Sequence, residues 1–183
     1  EIERLLAQIK HSTVVVACLH SYKNPIHEKR LQFSLQQADF QYLSLSSQLS
    51  SSIKILPRTT TALVNAYLHP ILENYLQHID FKLSKESNLK VMTSAGSLIN
   101  ASFFNPKDSL LSGPAGGVVG AAEIAKQLNI PKILTLDMGG TSTDTARFDG
   151  NYDYKYTTVV GDAQMLSPCF EIETVAAGGG SLC

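Results

Sequence analysis

Hydrophobic residues along the chain follow the two periods that distinguish strands from helices, and they predict a mixed α/β fold. Residues 13–19 form a continuous apolar run rich in β-branched side chains, which is typical of a strand covered on both faces. Residues 133–137 repeat this pattern, and we expect both strands to be buried. Shorter segments at residues 41–49 and 89–93 predict two further strands.

The sequence predicts four helices, at residues 1–10 (the end of a helix), 25–38, 59–79 and 112–128. Apolar residues at helical spacing indicate the first, third and fourth, and Pro25 in the first turn favours the second. The longest begins with the threonines at 59–61, which can supply its N-cap, and Pro70 is expected to bend it. Its apolar positions recur on one stripe, so we expect this stripe to pack on a sheet as core. The stripe consists of Leu63, Val64, Tyr67, Leu68, Ile71, Leu72, Tyr75, Leu76 and Ile79.

The predicted helix at residues 112–128 carries glycines in its interior, where they are costly. Ser112 is expected to cap this helix and Asn129 to close it. Each interior glycine costs up to about 1 kcal/mol relative to alanine. Close packing against a neighbouring element would offset this cost, and so would a ligand at the helix N-terminus. Gly116 and Gly117 are therefore candidate ligand-binding residues, with packing as the open alternative.

Composition and charge narrow the class of protein. The chain has 183 residues, with 15 basic and 16 acidic side chains and a net charge of −1. No basic surface is implied, so we expect neither nucleic acid nor a membrane as a partner. Three widely spaced cysteines indicate no disulfide framework or zinc site and favour a reducing, cytoplasmic location. The missing initial methionine and the glycine-rich end suggest an internal fragment of a longer protein.

The most informative stretch begins at the end of the predicted strand at residues 133–137. A carboxylate, two glycines, three hydroxyl residues and a second carboxylate occur there close together. Glycines after a strand let backbone amides approach an anion, and hydroxyls add donors to phosphate oxygens. Two aspartates beside such a loop suit Mg²⁺, which binds carboxylate oxygens and keeps several waters. The residues that predict this nucleotide phosphate loop are Asp137, Gly139, Gly140, Thr141, Ser142, Thr143 and Asp144.

This loop differs from a Walker loop, which contains a lysine and runs into a helix. Here Asp149 and Gly150 follow between two segments of strand character, which is a strong hairpin signal. Tyrosines alternate with polar residues through residues 152–157, which is the period of a strand. The phosphates would therefore lie at a strand–loop–strand turn, the arrangement of actin-like ATPases.

Three glycine-containing motifs occur within seventy residues. They are Asp-Met-Gly-Gly-Thr-Ser-Thr-Asp at residues 137–144, Ser-Gly-Pro-Ala-Gly-Gly-Val at 112–118 and Ala-Ala-Gly-Gly-Gly-Ser at 176–181. Together they resemble the hydantoinase A / 5-oxoprolinase / acetone carboxylase β-subunit family. The resemblance implies an α/β fold of the actin-like (ribonuclease H-like) ATPase type. It also implies that residues 1–111 end a first lobe and residues 112–183 begin a second, although the fragment could pack as one α/β unit.

The resemblance further implies an ATP-dependent hydrolase of cyclic amides such as hydantoins or 5-oxoproline. Such an enzyme phosphorylates an inert lactam carbonyl before water attacks it. Asp137 would bind Mg²⁺, the loop at residues 139–143 would bind the phosphates of ATP, and Asp144 would complete the catalytic site. A second hydantoinase-type subunit is a candidate partner. The isolated chain is expected to be inactive, because it holds a single phosphate turn.

Two alternatives stay open. A subunit of an acetone-carboxylase-like enzyme, or more distantly a sugar-type kinase, would use the same phosphate loop. A non-catalytic nucleotide-binding or assembly lobe would leave the chemistry to a partner. The roles of Arg58, Asn65, Glu173 and the glycine loop at residues 178–180 also stay open.

Overall fold

The computed structural model describes residues 13–181, so the helix predicted at residues 1–10 lies outside the described part. In chain order, the elements are β1 (Thr13–Val16), α1 (Ile26–Gln37), β2 (Tyr42–Leu45), α2 (Ser46–Leu49), α3 (Ile55–Lys82), β3 (Lys90–Met92), β4 (Leu98–Asn100), α4 (Ser112–Gln127), β5 (Ile133–Met138), β6 (Thr143–Phe148), β7 (Tyr154–Lys155), β8 (Thr158–Val160), β9 (Ala163–Met165), β10 (Cys169–Phe170) and β11 (Glu173–Val175). Two 3₁₀ helices, Ala101–Phe103 and Pro106–Ser109, lie between β4 and α4. None of the helices in the described part is long and apolar enough to span a bilayer.

The chain divides into two compact units whose segments alternate along the sequence. The first unit comprises the described residues up to Ser87, together with Asn105–Lys107 and Thr157–Ser167. The second comprises Asn88–Phe104, Asp108–Tyr156 and the described residues from Pro168 onwards. The predicted division into lobes at residue 111 concerns a larger protein and stays a prediction.

In the first unit, a parallel pair of short strands packs against the longest helix. β1 pairs with β2 in a register that places Thr13 opposite Tyr42 and Val16 opposite Leu45, and α1 connects the two strands. Val16 and Leu45 form a buried core with Leu35 of α1. α3 packs on β1, β2 and β9. The strand and helix predicted at residues 13–19 and 25–38 are confirmed, with shorter bounds.

The long helix buries a different side from the one that its apolar stripe predicts. α3 begins at Ile55, so the threonines at 59–61 lie inside the helix and do not cap it. Its buried residues are Arg58, Thr61, Ala62, Asn65 and Ala66. Leu63 and Tyr67 of the stripe are instead 53% and 75% exposed. Four of the nine stripe residues are exposed and none is fully buried, so the prediction that this stripe forms core is wrong.

Small and polar residues occupy the buried side of α3 because they allow close approach and supply hydrogen bonds. Thr61 Oγ1 accepts from the Leu166 amide at 2.7 Å. The side-chain amide of Asn65 donates to Ser44 Oγ at 3.0 Å, and its oxygen accepts from the Lys107 amide at 3.1 Å. Each contact holds a segment distant in sequence against the helix, so Asn65 has a structural role.

Arg58 is fully buried and holds three segments of the first unit together. Its guanidinium donates to the carbonyls of Cys18 and Ser52, both at 2.6 Å, and to Ser46 Oγ at 3.0 Å. A buried charge is tolerated only where hydrogen bonds replace those to water. These three acceptors provide the Arg58 guanidinium with such hydrogen bonds. Arg58, whose role the sequence left open, is therefore a structural residue.

Glu28 of α1 is the buried acidic residue of the same network. Ser46 Oγ donates to Glu28 Oε1 at 2.7 Å, and the amide and hydroxyl of Ser47 donate to Oε2 at 3.0 and 2.6 Å. Burial alone raises the pKa of Glu28, but hydrogen bonds from Ser21, Ser47 and Ser46 outweigh it and lower the pKa from 4.5 to about 2. These contacts also explain why the strand predicted at residues 41–49 ends at Leu45. The Ser47 amide donates to Glu28 and is not available for strand pairing, and the chain continues as α2.

Acidification is expected to destabilise the first unit through Glu28. Its folded-state pKa lies below the ordinary value of 4.5, so the ionised carboxylate stabilises the fold above about pH 4.5. This contribution is lost as the pH falls towards about 2. We expect a Glu28→Gln variant to be less stable at neutral pH and to lose less stability across this window.

Urea unfolding at several pH values from neutral to about pH 2.5 measures this difference. Glu123→Gln is the matched control, because Glu123 is an exposed glutamate that forms an ion pair with Lys126 of its own helix. If Glu28→Gln and the unaltered protein lost stability in parallel on acidification, the assignment of the low pKa to Glu28 would be wrong.

The second unit packs one helix on a three-stranded antiparallel sheet. The strand order is β11-β6-β5, with β6 paired to both neighbours. Ala115 and Val118 of α4 form a buried core with Ala146, Phe170 and Ile172. The β3–β4 hairpin also contacts α4, and β7 pairs with β10.

The turn predicted at Asp149 and Gly150 is confirmed, but among the described residues the segments around it are joined by a single isolated bridge and not by a β6–β7 ladder. Gly150 has a φ of +99°, a backbone conformation that residues with a side chain rarely adopt. Phe148 and Tyr152 form an isolated β-bridge across the turn. β6 pairs with β5 and β11, whereas β7 pairs with β10, so the segments on the two sides of the turn do not form a regular two-stranded hairpin. The strand predicted for residues 152–157 is reduced to the two residues of β7.

The two ends of α4 differ in how well they follow the prediction. Asn129 has a φ of +57° and closes the helix as predicted. At the other end, Ser112 is already the first helical residue and follows Leu111, which has a φ of +63°. No side chain caps this end, so the prediction of a Ser112 cap is wrong.

Both strands that the sequence predicts as buried are only partly so. In β1, Val16 is the single fully buried residue. In β5, Leu134 and Leu136 are 84% and 70% exposed. β5 is the edge strand of its sheet among residues 13–181, and α4 covers one face of that sheet. A continuous apolar run therefore predicted a strand here but not its burial.

Candidate functional site

The β5–β6 hairpin brings the two predicted site aspartates together. Asp137 and Asp144 are direct partners in the antiparallel register, so their side chains lie on the same face of the sheet. Thr174 of β11 is the partner of Asp144 on its other side, and its hydroxyl donates to Asp144 Oδ1 at 2.6 Å. The three residues form a row across the sheet. Thr174 was not predicted, because only the strand register shows that it neighbours Asp144.

The aspartate pair has the donor chemistry that a magnesium ion needs. Like charges on directly opposite residues repel each other, and a divalent cation would remove this repulsion. Asp137 is exposed and Asp144 is half-buried, so water can reach the site. No cluster of three or more His, Cys, Asp or Glu side chains within residues 13–181 could hold a metal ion. The residues therefore fit a Mg²⁺ that keeps waters and phosphate oxygens as ligands, and not a protein-made cage.

The N-terminal half of α4 forms a second wall of the site. A Cβ atom on Gly117 would lie 3.7 Å from Asp137 Oδ2, so this glycine lies against the carboxylate. Gly117, Asp137 and Asp144 line one open groove of about 460 Å³, whose other walls are mostly apolar. A Cβ atom on Gly116 would instead face Met92 of β3 at 3.9 Å. The two glycines therefore differ: Gly117 lies at the site, whereas Gly116 lies against β3.

The loop between β5 and β6 is a tight turn with one open side. The Gly139 amide donates to the Ser142 carbonyl at 2.9 Å. A Cβ atom on Gly140 would meet no described atom within 4 Å. Thr143 is buried, and its hydroxyl donates to the Ala177 carbonyl at 2.6 Å. The hydroxyl of Thr143 therefore donates its proton to the protein backbone and not to a ligand. Gly140, in contrast, leaves open space in which a ligand could lie.

The triple-glycine loop (residues 178–180) lies directly against this turn. The amides of Gly179 and Gly180 donate to the carbonyls of Gly139 and Gly140, each at 2.9 Å. An added Cβ atom on Gly178 would lie 2.7 Å from backbone atoms of the turn. The sequence shows two glycine-rich segments, but their contact depends on the pairing of β11 with β6.

Glu173 lies beside the site residues in sequence but on the other face of the sheet. Neighbouring residues of a strand point to opposite faces, so Glu173 and Thr174 are separated by the sheet. Glu173 forms an exposed ion pair with Lys155 at 2.7 Å. The hydrogen bond and the charge of Lys155 lower the pKa of Glu173. Glu173 therefore belongs to a surface contact and not to the row that contains Asp144.

Comparisons with known proteins by family model, by sequence and by structure all identify related enzymes. A family model described as Hydantoinase/oxoprolinase matches residues 58–183. A 5-oxoprolinase from Saccharomyces cerevisiae is 40% identical over 175 residues, which cover 93% of this chain and 14% of the other protein. The nucleotide-free structure of acetone carboxylase has a TM-score of 0.78 and 24% identity, covering 97% of this chain and 26% of that chain. The structure of an ATP-dependent caprolactamase from Pseudomonas jessenii also has a TM-score of 0.78, with 26% identity over 91% of this chain and 25% of that chain.

These similarities confirm the predicted fold, which is of the actin-like ATPase type. The chain spans 14% of the length of the curated relatives that it matches first. It therefore corresponds to a small part of each of those proteins.

Proposed function

Because this chain belongs to the hydantoinase/oxoprolinase family, as its three motifs predict, we propose that it is part of an ATP-dependent hydrolase of cyclic amides. The observation that carries the proposal is the pair of opposed carboxylates, Asp137 and Asp144, beside a glycine turn with an open side. The names of the relatives support the substrate class, since 5-oxoproline and caprolactam are both cyclic amides.

A ring amide resists hydrolysis because its carbonyl carbon is a weak electrophile and its nitrogen is a poor leaving group. Bound Mg²⁺·ATP would supply a phosphoryl group to the carbonyl oxygen, with ADP leaving, and this would make the carbonyl carbon electrophilic. Water could then add to that carbon, the ring C–N bond would break with a proton passing to nitrogen, and hydrolysis of the resulting acyl phosphate would release phosphate and the open-chain amino acid. The protein then has to hold the phosphates and neutralise the charge that develops on them. A site of exposed backbone amides and carboxylates for a metal ion is suited to this task.

Each residue of the row and the turn has a distinct part in this scheme. Asp137 would hold Mg²⁺, since it is the more exposed of the two carboxylates. Asp144, held by Thr174 through Oδ1, keeps its other oxygen free to orient the attacking water. Gly140 and Thr141 offer backbone amides to the phosphates, with Gly139 and Ser142 closing the turn behind them. Gly117 leaves room at the carboxylate, since it has no side chain.

The rest of the enzyme would complete the site. We expect a cyclic-amide pocket and a second phosphate turn in other parts of a longer chain, and a second hydantoinase-type subunit as a candidate partner.

The odd number of cysteines supports a cytoplasmic location for this protein. An acetone-carboxylase-like activity is the second candidate, since the fold is equally similar to that enzyme.

We expect the full-length protein to release ADP from ATP when a cyclic amide is added. Rates with 5-oxoproline, hydantoin or caprolactam should exceed the rate without substrate by about tenfold or more for at least one compound. The matched control is the open-chain amino acid that the same ring would give. Stimulation by acetone with bicarbonate alone would favour the carboxylase. Absence of ATP turnover with all compounds would favour a non-catalytic lobe.

A further inference from the structure

We propose that the triple-glycine loop is a positioning element, which aims two backbone amides of the β5–β6 turn at a phosphate group. The proposal rests on the proposed function for the identity of the ligand. It assigns a role to Gly178 in particular, because this residue sets how closely the two loops approach. The geometry of the peptide groups, the lack of space at Gly178 and the anchoring of the loop all support it.

The hydrogen bonds between the loops fix the orientation of two successive peptide planes. In a trans peptide, the carbonyl of one residue and the amide of the next point in opposite directions. The Gly139 and Gly140 carbonyls both accept from the triple-glycine loop, at 2.9 Å each. The amides of Gly140 and Thr141 must therefore point to the opposite side. Two adjacent amides on one side form a concave donor pair that suits a phosphate oxygen.

The turn has open space at Gly140. A Cβ atom on Gly140 would be in open space, with no described neighbour within 4 Å. At Gly178, by contrast, no space is left for a side chain. A Cβ atom on Gly178 would lie 2.7 Å from Gly139 O, from Gly140 C and from Thr141 N. Such contacts are too close for carbon, and all three atoms belong to backbone that cannot swing aside. Glycine at 178 is therefore required by the protein itself, whereas glycine at 140 leaves space for a ligand.

The triple-glycine loop is itself held in place, so it can transmit a fixed geometry. The Ala177 carbonyl accepts from Thr143 Oγ1 at 2.6 Å, which ties the start of the loop to β6. The Gly178 amide donates to Ser181 Oγ at 3.0 Å, and the Ser181 amide donates to the Gly178 carbonyl at 3.0 Å. The loop thus closes on itself and on the strand that carries Asp144. Its contact with the turn links the phosphate donors to the carboxylate row.

Two single substitutions in the full-length protein separate this role from the general effect of a larger residue. Gly178→Ala places a Cβ atom 2.7 Å from the turn, whereas at Gly179 the nearest atom is Gly139 O at an ordinary 3.8 Å. Neither glycine has a positive φ, so alanine is not strained by the backbone at either position. Gly180→Ala, with Gly140 O at 2.9 Å, is a second variant that should act like Gly178→Ala.

We expect Gly178→Ala to raise the Kd for Mg²⁺·ATP by about tenfold or more, and Gly179→Ala to change it by less than about twofold. Hydrogen exchange without nucleotide supplies a second readout, in which the amides of Gly179 and Gly180 lose protection in Gly178→Ala but not in Gly179→Ala. Equal Kd values for the two variants would overturn the inference. So would lost protection with an unchanged Kd, because the loop would then be architecture alone. If the unaltered protein failed to bind Mg²⁺·ATP while those amides stayed protected, the proposed function would fail and the docking of the two loops would stand.

Discussion

Replacing Asp137 by asparagine should remove most ATP-dependent turnover of the full-length protein and leave its melting temperature without nucleotide nearly unchanged. Asparagine keeps the shape of the side chain and removes its charge. Asp137 is exposed and directly opposite Asp144, so the charge it loses is one that repels its neighbour. The fold therefore loses little stability, whereas the proposed Mg²⁺ site loses a ligand. We expect kcat to fall by a factor on the order of 10²–10³.

Thermal unfolding with and without Mg²⁺·ATP and steady-state kinetics test this expectation together. The unaltered protein should gain thermal stability from Mg²⁺·ATP, and Asp137→Asn should lose that gain. Asp149→Asn is the matched control, because Asp149 is an exposed aspartate at the other end of the same hairpin and Asn-Gly suits its turn equally well. A variant that melted much lower without nucleotide and yet bound Mg²⁺·ATP normally would show that Asp137 is a structural residue.

Replacing Arg58 by methionine should destabilise the chain by about 3–5 kcal/mol, the cost of leaving buried polar groups without their partner. Methionine fills a similar volume but donates no hydrogen bond. The carbonyls of Cys18 and Ser52 would then be left without the donor that now lies 2.6 Å away. Lysine should restore only part of the loss, since a single ammonium cannot reproduce the fork that reaches three segments.

Urea unfolding followed by circular dichroism measures the change in the free energy of unfolding. Arg147→Met is the matched control, because Arg147 is an exposed arginine with one ion pair, to Asp153 at 3.0 Å. Removing an exposed pair should cost about 0–1 kcal/mol. Equal losses for the two arginines would contradict the structural role of Arg58. Loss of ATP binding without loss of stability in Arg58→Met would contradict it as well.

The sequence by itself determined those features that depend on neighbouring residues. The period of its apolar positions identified α3 and the strand that begins at Ile133, and Asp149 with Gly150 identified the turn after β6. These signals are local, because hydrogen bonds within a helix and the positive φ of a turn glycine do not depend on distant segments. The phosphate loop proposed for the cluster from Asp137 to Asp144 also rests on a local signal, because its carboxylates, glycines and hydroxyls lie within one turn of the chain.

Only the tertiary structure decided which surfaces are buried and which segments meet. An apolar stripe shows that a helix has a hydrophobic side, but burial depends on what the other elements offer to it. α3 turns Arg58 and Asn65 inward because carbonyls, hydroxyls and amides from distant segments are placed to receive them. In the same way, Thr174 contacts Asp144, and Gly178 contacts the β5–β6 turn, through the register of β11 on β6. That register is a long-range pairing, and its energy comes from contacts that no local pattern contains.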